Sequence, residues 1–299
     1  MKRTPAGGWA QRLDCVACLA RQTQEAVVAA TPDVQLRETV LRRALEMLAR
    51  ADWHCSPPAL AQAIHRLIRR LTRNPDPYAA IKERLNQRAE DLHPIWRERF
   101  RERFSPLEAA VRLAIVGNLL DVGAKTQLSD DTLLAAFEGA LTAPLLGSMS
   151  EFEKAIRSAR HILYLADNAG EIVFDRDLLA QLPLGNVTVA VRGAPVLNDA
   201  TLADARRAGL AGYCELTANG SDAPGTLLED CSSEFRARFD AADLVIAKGQ
   251  GNYESLAGTN KRMFFLLKVK CPVLAESLQC SCGSLVLRHQ TPLSDSHLG

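Results

Sequence analysis

Residues 161–173 read HILYLADNAGEIV, an apolar run that ends in Asp167 and Asn168 and continues through a glycine to Glu171. This pattern predicts a buried strand that leads into an amphipathic helix. In an open α/β sheet the carboxyl end of a strand faces the ligand crevice, so Asp167 and Asn168 are expected at a binding site. Both residue types are also favoured as helix caps, and this segment alone leaves the two roles open.

The chemistry of this segment indicates an anion beside a cation. The helix that begins at Glu171 would present backbone amides at its positive end, which favours phosphate or carboxylate. The oxygens of Asp167 and Asn168 are hard ligands that suit Mg²⁺ or Mn²⁺. An anion together with a divalent cation points to a phosphorylated substrate.

Composition limits the classes of function. The chain has 299 residues, 47% hydrophobic and 24% charged, enough for a full core and typical of two domains. Its net charge of +1 gives no basic field of the kind that binds nucleic acid or an anionic membrane. The amino terminus lacks the apolar run of a signal peptide, and no later segment approaches a membrane span. We therefore expect a cytoplasmic protein whose partner is a small phosphorylated metabolite; the oligomeric state does not follow from the sequence.

The first half of the chain is predicted to be helical. Apolar residues recur at helical spacing from about residue 10 to residue 137, as in Leu60, Ile64 and Leu67, and no convincing strand is predicted before residue 160. Breaks between helices are expected at Pro57 and Pro58, at residues 73–77 and at residues 126–131. An all-helical domain is therefore predicted at residues 1–150.

After Ser148 short strands alternate with helical stretches. The predicted strands are His161–Ala166, Asn186–Val191, Tyr213–Thr217, Leu244–Ala247, Pro272–Ala275 and Ser284–Leu287. This alternation predicts the α/β class, with a doubly wound α/β/α domain at residues 151–299.

Two further polar loops follow predicted strands. Asn198 and Asp199 come just after the strand that ends at Val191, and KGQGNYE at residues 248–254 follows the strand that ends at Ala247. Glycines in the second loop permit close backbone approach, and its polar residues are Lys248, Gln250, Asn252 and Glu254. Three such loops at one edge of a parallel sheet predict a shared ligand site.

Several short motifs together resemble one known family. They are DNAGE at 167–171, ND at 198–199, KGQGNYE at 248–254, KVKC at 268–271, CVAC at 15–18 and GNLLD at 117–121. The combination is similar to the metal-dependent damage-control phosphatases with an ARMT-like domain, in their prokaryotic CxxC-bearing branch. The resemblance implies a helical domain joined to an α/β/α domain, with a divalent metal held by Asp167, Asn168 and Asp199. It also implies hydrolysis of phosphorylated metabolites.

We therefore predict a metal-dependent phosphomonoester hydrolase of small phosphorylated metabolites such as sugar phosphates, with Mn, Mg, Co or Ni as its divalent metal ion. A cation between two carboxylates and an amide can polarise a phosphoryl oxygen and offset the charge that develops there. The predicted catalytic residues are Asp167, Asp199 and Lys270. The predicted substrate-binding residues are Asn198, Gln250, Asn252, Glu254 and Glu171. Attack by a metal-activated water and a phospho-aspartyl intermediate both remain open.

Some of these assignments have simpler alternatives. Lys270 comes just before the predicted strand Pro272–Ala275, at the end opposite the ligand edge, so an ordinary surface lysine is the alternative to its catalytic role. Glu171 and Glu254 could be capping or solvated residues in the first turn of a helix. Asn118 and Asp121 could line the cleft from the helical domain or form internal hydrogen bonds.

The eight cysteines, in a chain without a secretion signal, favour reduced thiols over a disulfide framework. Cys15 and Cys18 could join Cys280 and Cys282 in a four-sulfur zinc site, although the spacing of the second pair is atypical.

Two other functions compete with the phosphatase. One is an S-adenosylmethionine-dependent carboxyl methyltransferase, supported by fold analogy, and the other is a non-enzymatic metal or redox sensor centred on the cysteines. The sensor would leave the three polar loops unexplained.

Overall fold

The computed structural model describes residues 13–120, 130–183 and 185–292; Asp121 and most of the predicted break at 126–131 lie outside them. The first half is helical, as predicted. Its helices are α1 (Leu13–Ala30), α2 (Val34–Arg50), α3 (Pro57–Thr72), α4 (Ala79–Arg103), α5 (Pro106–Val116) and α6 (Asp130–Thr142). The predicted breaks at Pro57 and at residues 73–77 are confirmed, because α3 begins at Pro57 and α4 begins only at Ala79. No helix of the described residues is long and apolar enough to cross a membrane.

The second half alternates strands with helices. Its elements are β1 (Leu145–Leu146), α7 (Met149–Ser158), β2 (Ile162–Leu165), α8 (Glu171–Leu179), β3 (Val187–Val191), α9 (Leu202–Arg207), a 3₁₀ turn (Leu210–Gly212), β4 (Glu215–Ala218), α10 (Ser233–Ala241), β5 (Leu244–Lys248), α11 (Gly249–Leu256), β6 (Met263–Lys268), α12 (Pro272–Leu278) and β7 (Leu285–Gln290). In the described residues the strands form one sheet in the order β1-β7-β6-β5-β2-β3-β4.

The strand order fixes the position of the ligand crevice. Strands β2 to β6 run parallel, and only β6 and β7 pair antiparallel among the described neighbours. From β2 the chain proceeds outward to β3 and β4 and then crosses back to β5, on the other side of β2. The carboxyl ends of β2 and β5 therefore flank the point where the strand order reverses, which is where ligands bind in such sheets.

Three predictions about strands are wrong. The segment predicted as the strand Pro272–Ala275 begins helix α12, where a proline in the first turn needs no amide partner and the Cys271 sulfur accepts a hydrogen bond from the Leu274 amide at 3.4 Å. The strand β6 is missing from the prediction because residues 263–267, MFFLL, form an unbroken apolar run, which lacks the alternation of a half-buried strand and is typical of a strand buried on both faces. The short strand β1 also lies before residue 160.

Both faces of the sheet are covered by helices, which confirms the predicted doubly wound α/β/α fold. Ile162 and Tyr164 of β2 pack in one core with helices α4 to α8, whereas Leu163 and Leu165 pack in a second core with α10 to α12. Helices α1 to α3 share a smaller core with loop residues of the α/β region. The predicted domain boundary near residue 150 stays a prediction, and the first core crosses it.

The buried carboxylate of Asp177 links α8 to α4 through hydrogen bonds. Asp177 accepts hydrogen bonds from His93 Nε2 at 2.6 Å, Arg97 Nε at 2.8 Å and Arg101 Nη2 at 3.1 Å. Burial raises the pKa of Asp177, but His93 and Arg97 outweigh it and hold the pKa below its ordinary value of 3.8. Its ionised form therefore stabilises the packing of these two helices.

We expect Asp177→Asn to lower the free energy of unfolding by about 2 kcal/mol near neutral pH, because three donors lose a charged acceptor. A carboxylate with a depressed folded pKa contributes stability above its unfolded pKa, and this is lost as the pH falls through the folded value. Urea unfolding at pH 7 and in acid measures the difference, which should vanish in acid. The exposed Asp91→Asn on α4 is the control, and an equal effect of the two substitutions would contradict the prediction.

Candidate active site

Backbone pairing brings the loops after β2 and β3 together. Asn168 and Asp199 form an isolated antiparallel bridge, and the Ala200 amide donates to the Asp167 carbonyl at 2.8 Å. The three predicted cation ligands, Asp167, Asn168 and Asp199, therefore lie side by side at the carboxyl edge of the sheet. Each is at most 8% exposed.

The carboxylate of Asp167 is held from several sides. It accepts hydrogen bonds from Asn168 Nδ2 at 2.7 Å, Asn118 Nδ2 at 3.2 Å and Arg192 Nη2 at 3.4 Å. Asn118 follows α5, so the helical region reaches this site. This agrees with the first of the two alternatives for Asn118, that it lines the cleft from the helical domain. The contacts fix one orientation of the Asp167 carboxylate.

Electrostatics disfavour the charge on Asp167. Burial raises its pKa well above the ordinary value, and the neighbouring carboxylates Glu171 and Asp199 raise it further. Arg192 and Lys270 act in the opposite direction. A carboxylate crowded by other carboxylates in a buried site is the arrangement that a bound cation would stabilise.

A buried ion cluster lies beside these ligands. Glu171 is 1% exposed and accepts hydrogen bonds from Asn118 at 2.5 Å, Asn168 at 3.0 Å and Lys248 Nζ at 2.8 Å. Lys248 is fully buried and also donates to Asp175 at 2.6 Å. These bonds favour a supporting role for Glu171, next to the predicted ligand Asn168, over the predicted contact with substrate.

Arg192 is a site residue to which the sequence motifs assign no role. It directly follows β3, is 2% exposed, and its Nε donates to Asp199 at 2.6 Å. Its Nη1 donates to Asn252 at 3.2 Å, and its Nη2 reaches Asp167. The signal that could have found it is its position, since the first residue after a strand lies at the ligand edge.

Asn252, predicted to bind substrate, is fully buried, and its amide is bonded within the protein. Its Oδ1 accepts from Arg192 at 3.2 Å and from Thr226 Oγ1 at 2.8 Å, while its Nδ2 donates to the carbonyls of Ala166 and Lys248. This placement favours a structural role, because contact with a ligand would break these hydrogen bonds.

Asn198 is the clearest candidate for an anion contact. It is 2% exposed, and its Nδ2 has no hydrogen-bond partner in the part of the chain that the structure describes. The preceding Leu197 has φ of 47°, a conformation that is uncommon for leucine. A buried donor without a partner is costly, and such groups occur where a ligand completes the hydrogen bond.

Lys270 lies at the ligand edge, so the expectation that it sits at the opposite end of a strand is wrong. It follows β6, which runs parallel to β5, and no strand begins at Pro272. Its positive charge acts to lower the pKa of Asp167. The alternative of an ordinary surface lysine rested on a position opposite the ligand edge, and the structure does not place Lys270 there.

Gln250 and Glu254 point toward a neighbouring cysteine. Gln250 Nε2 donates to Glu254 Oε1 at 2.5 Å and approaches the Cys271 sulfur at 3.7 Å. Burial raises the pKa of Glu254 to about 7, and the Gln250 amide opposes this shift only in part. Both residues stay predicted substrate contacts.

The pKa of Glu254 predicts a pH-dependent stability. A folded pKa of about 7, above the ordinary 4.5, means that stability is lost as the pH rises between these values. We expect Glu254→Gln to raise the free energy of unfolding by about 3 kcal/mol at pH 8 and by less than about 1 kcal/mol at pH 5. Urea unfolding at both pH values measures this. The exposed Glu229→Gln controls for charge loss, and parallel pH profiles of wild type and Glu254→Gln would refute the prediction.

The predicted four-sulfur zinc site is not assembled in the described residues. No group of three His, Cys, Asp or Glu side chains there is arranged to hold a metal ion. Burial raises the pKa of Cys15 to about 11, and the charges of Glu254, Cys271 and Cys18 raise it further, so this thiol is expected to be protonated. The predicted divalent-cation set is of a different kind, because it has two carboxylates and the amide of Asn168.

Comparison with known proteins identifies the family. Residues 12–286 match the damage-control phosphatase ARMT1-like domain. A damage-control phosphatase of Pyrococcus horikoshii is 34% identical over 279 residues, 91% of this chain and 96% of that protein. A damage-control phosphatase of Archaeoglobus fulgidus is 32% identical over 282 residues, 92% of this chain and 97% of that protein.

A solved structure shows the same fold. The crystal structure of a DUF89 family protein from Pyrococcus horikoshii superposes with a TM-score of 0.84 at 32% identity, covering 93% of this chain and 98% of that one. Assignment to a CxxC-bearing branch stays a prediction. The chain belongs to the damage-control phosphatase family with the ARMT1-like domain, which confirms the resemblance of the motifs and the predicted phosphatase class.

Proposed function

We propose that this protein is a divalent-cation-dependent phosphatase of small phosphorylated metabolites, sugar phosphates among them, with Mg²⁺, Mn²⁺, Co²⁺ or Ni²⁺ as the cation. The observation that carries the proposal is the convergence of Asp167, Asn168 and Asp199 from two loops that are paired through their backbones. These residues offer two carboxylates and an amide oxygen, the donor set that hard divalent cations prefer.

The formal charge of the site also suits a divalent cation. Four carboxylates lie in or beside this site, against three cationic side chains; they are Asp167, Glu171, Asp175 and Asp199, with Lys248, Arg192 and Lys270. Uncompensated charge is expensive in a buried site. A bound cation would offset the excess of carboxylates.

The remaining polar groups suit a phosphoryl group. The Nδ2 of Asn198 is a buried donor without a described partner, and we assign it to a phosphoryl oxygen. Lys270, at the same edge of the sheet, would offset the negative charge of the phosphate. When bound, the cation would supply Lewis acidity toward a phosphoryl oxygen. Asp167, Asn168 and Asp199 would hold it.

Relatives support the phosphatase class of the proposal. Proteins that cover nearly the whole chain are named damage-control phosphatases. The alternative of S-adenosylmethionine-dependent methyl transfer gains no support from the geometry, because the loop after β2 contributes Asp167 and Asn168 to a carboxylate-rich site. Binding of S-adenosylmethionine without phosphate release would favour that alternative.

The test combines cation binding with phosphate release. The purified chain is stripped with a chelator, Mn²⁺ binding is measured by calorimetry, and phosphate release is measured from sugar phosphates and an aryl phosphate after re-addition of each metal. We expect one saturable Mn²⁺ site and release that returns only with metal. Release that survives chelation, or no release with any metal from a folded protein, would overturn the proposal. Asp177→Asn serves as the control that should bind Mn²⁺ normally, because it alters a buried carboxylate that is bonded to α4 and not to the predicted cation ligands.

A further inference from the structure

Arg192 joins all three loops of the candidate site. Its Nε donates to Asp199 in the loop after β3, its Nη2 to Asp167 in the loop after β2, and its Nη1 to Asn252 on α11, after β5. At 2% exposure the guanidinium lies beneath the site and away from solvent. The planar shape of a guanidinium suits three acceptors in different directions, which a single ammonium cannot match.

The contacts of Arg192 distinguish between two roles, binding of phosphate and positioning of the carboxylates. An arginine that binds phosphate directs its nitrogens toward the ligand, whereas each of its three nitrogens here donates to a protein acceptor. The two carboxylates that it joins are the ones assigned to the cation. Removing either bond would let a buried carboxylate turn, and cations with strict coordination geometry tolerate this poorly.

We propose that Arg192 is a positioning residue that sets the orientation of Asp167 and Asp199 and thereby the cation affinity of the site. The proposal rests on the proposed function, since it presumes a cation at these carboxylates. A purely electrostatic role makes the opposite prediction. If the arginine only repelled the cation, its removal would tighten cation binding; if it positions the ligands, its removal weakens binding despite the lost repulsion.

The experiment compares Mn²⁺ binding by calorimetry in the chelator-stripped wild type, Arg192→Lys and Arg192→Met. We expect both variants to bind Mn²⁺ about 10- to 100-fold more weakly, the range seen when groups behind metal ligands are removed. At saturating Mn²⁺, the KM of Arg192→Lys for the phosphorylated substrate should stay near that of the wild type, because the guanidinium does not contact substrate. Unchanged or tighter Mn²⁺ binding in Arg192→Met would overturn the proposal, and so would a KM increase at saturating Mn²⁺.

The controls separate this proposal from misfolding and from failure of the proposed function. Arg112→Lys alters another buried arginine, bonded to Glu108 and to the Ala143 carbonyl, and should leave Mn²⁺ affinity unchanged. If the Arg192 variants do not fold, the Nε–H signal of Arg192 in wild-type NMR spectra should shift on addition of Mg²⁺, and an unmoved signal would refute the proposal. A wild type that binds no cation would refute the proposed function itself.

Discussion

Replacing Asp167 by asparagine is expected to abolish Mn²⁺ binding and to reduce kcat/KM for phosphate release by about 10³-fold or more, equivalent to about 4 kcal/mol. Asparagine keeps the shape of the side chain but removes its negative charge. It also replaces an accepting oxygen with an amide that faces the donors of Asn118 and Asn168. Calorimetry and phosphate-release kinetics on the same preparation measure both losses.

The fold of this variant should persist. The Asp167 carbonyl keeps its hydrogen bond from the Ala200 amide, and the charge that is removed is one that burial, Glu171 and Asp199 already disfavour. Thermal unfolding without metal should therefore show a melting temperature close to that of the wild type. An Asp167→Asn protein with wild-type Mn²⁺ affinity would exclude Asp167 as a ligand and would leave phosphatase activity to be explained by other residues.

The meeting of Asp167 with Asp199 follows from sequence order and elementary sheet geometry. Each lies beyond a strand, and the carboxyl ends of adjacent parallel strands share an edge of the sheet. The structure places β2 and β3 as parallel neighbours, with Leu165 opposite Ala190. No knowledge of side-chain packing is needed for this step, so a single sequence is sufficient to predict it.

The position of Lys270 could not be predicted in this way, because it depends on β6, a strand whose sequence shows no alternation of apolar and polar residues. Residues 263–267 of this strand read MFFLL, and such an unbroken apolar run fits a buried helix as well as a buried strand. Without β6, the strand expected after Lys270 puts the lysine at the wrong end of the sheet. One missed strand therefore reverses the prediction for a candidate catalytic residue.

The partners of Glu171, Asn252 and Arg192 could not be derived from local sequence either. Glu171 is bonded to Lys248, which lies 77 positions away, and Asn252 to Arg192, 60 positions away. Polarity and loop position predict that these residues lie near a ligand. They do not distinguish a side chain that contacts the ligand from one whose polar atoms are all hydrogen-bonded to other protein groups next to the ligand site.

Gly249 illustrates how closely the backbone approaches the site. It opens α11 with φ of +78°, and its Cα packs against the Asp167 carboxylate. A Cβ built on this residue would lie 1.9 Å from Asp167 Oδ2. The carboxylate thus occupies the space that any side chain would need, which gives the first glycine of KGQGNYE a specific physical role.

We expect Gly249→Ala to displace the Asp167 carboxylate, to weaken Mn²⁺ binding and to lower kcat/KM by about 10²-fold or more, since a shift of 1 Å in a catalytic group has that effect. The left-handed backbone adds a stability cost of about 1 kcal/mol that is unrelated to the site. Gly209→Ala is the matched control, because Gly209 has φ of +70° and, apart from its chain neighbours, no atom of the described residues lies within 4 Å of its added Cβ. It should lose the same stability and keep both Mn²⁺ affinity and activity. Equal effects of the two substitutions on Mn²⁺ binding would show that backbone strain, and not contact with Asp167, accounts for the glycine.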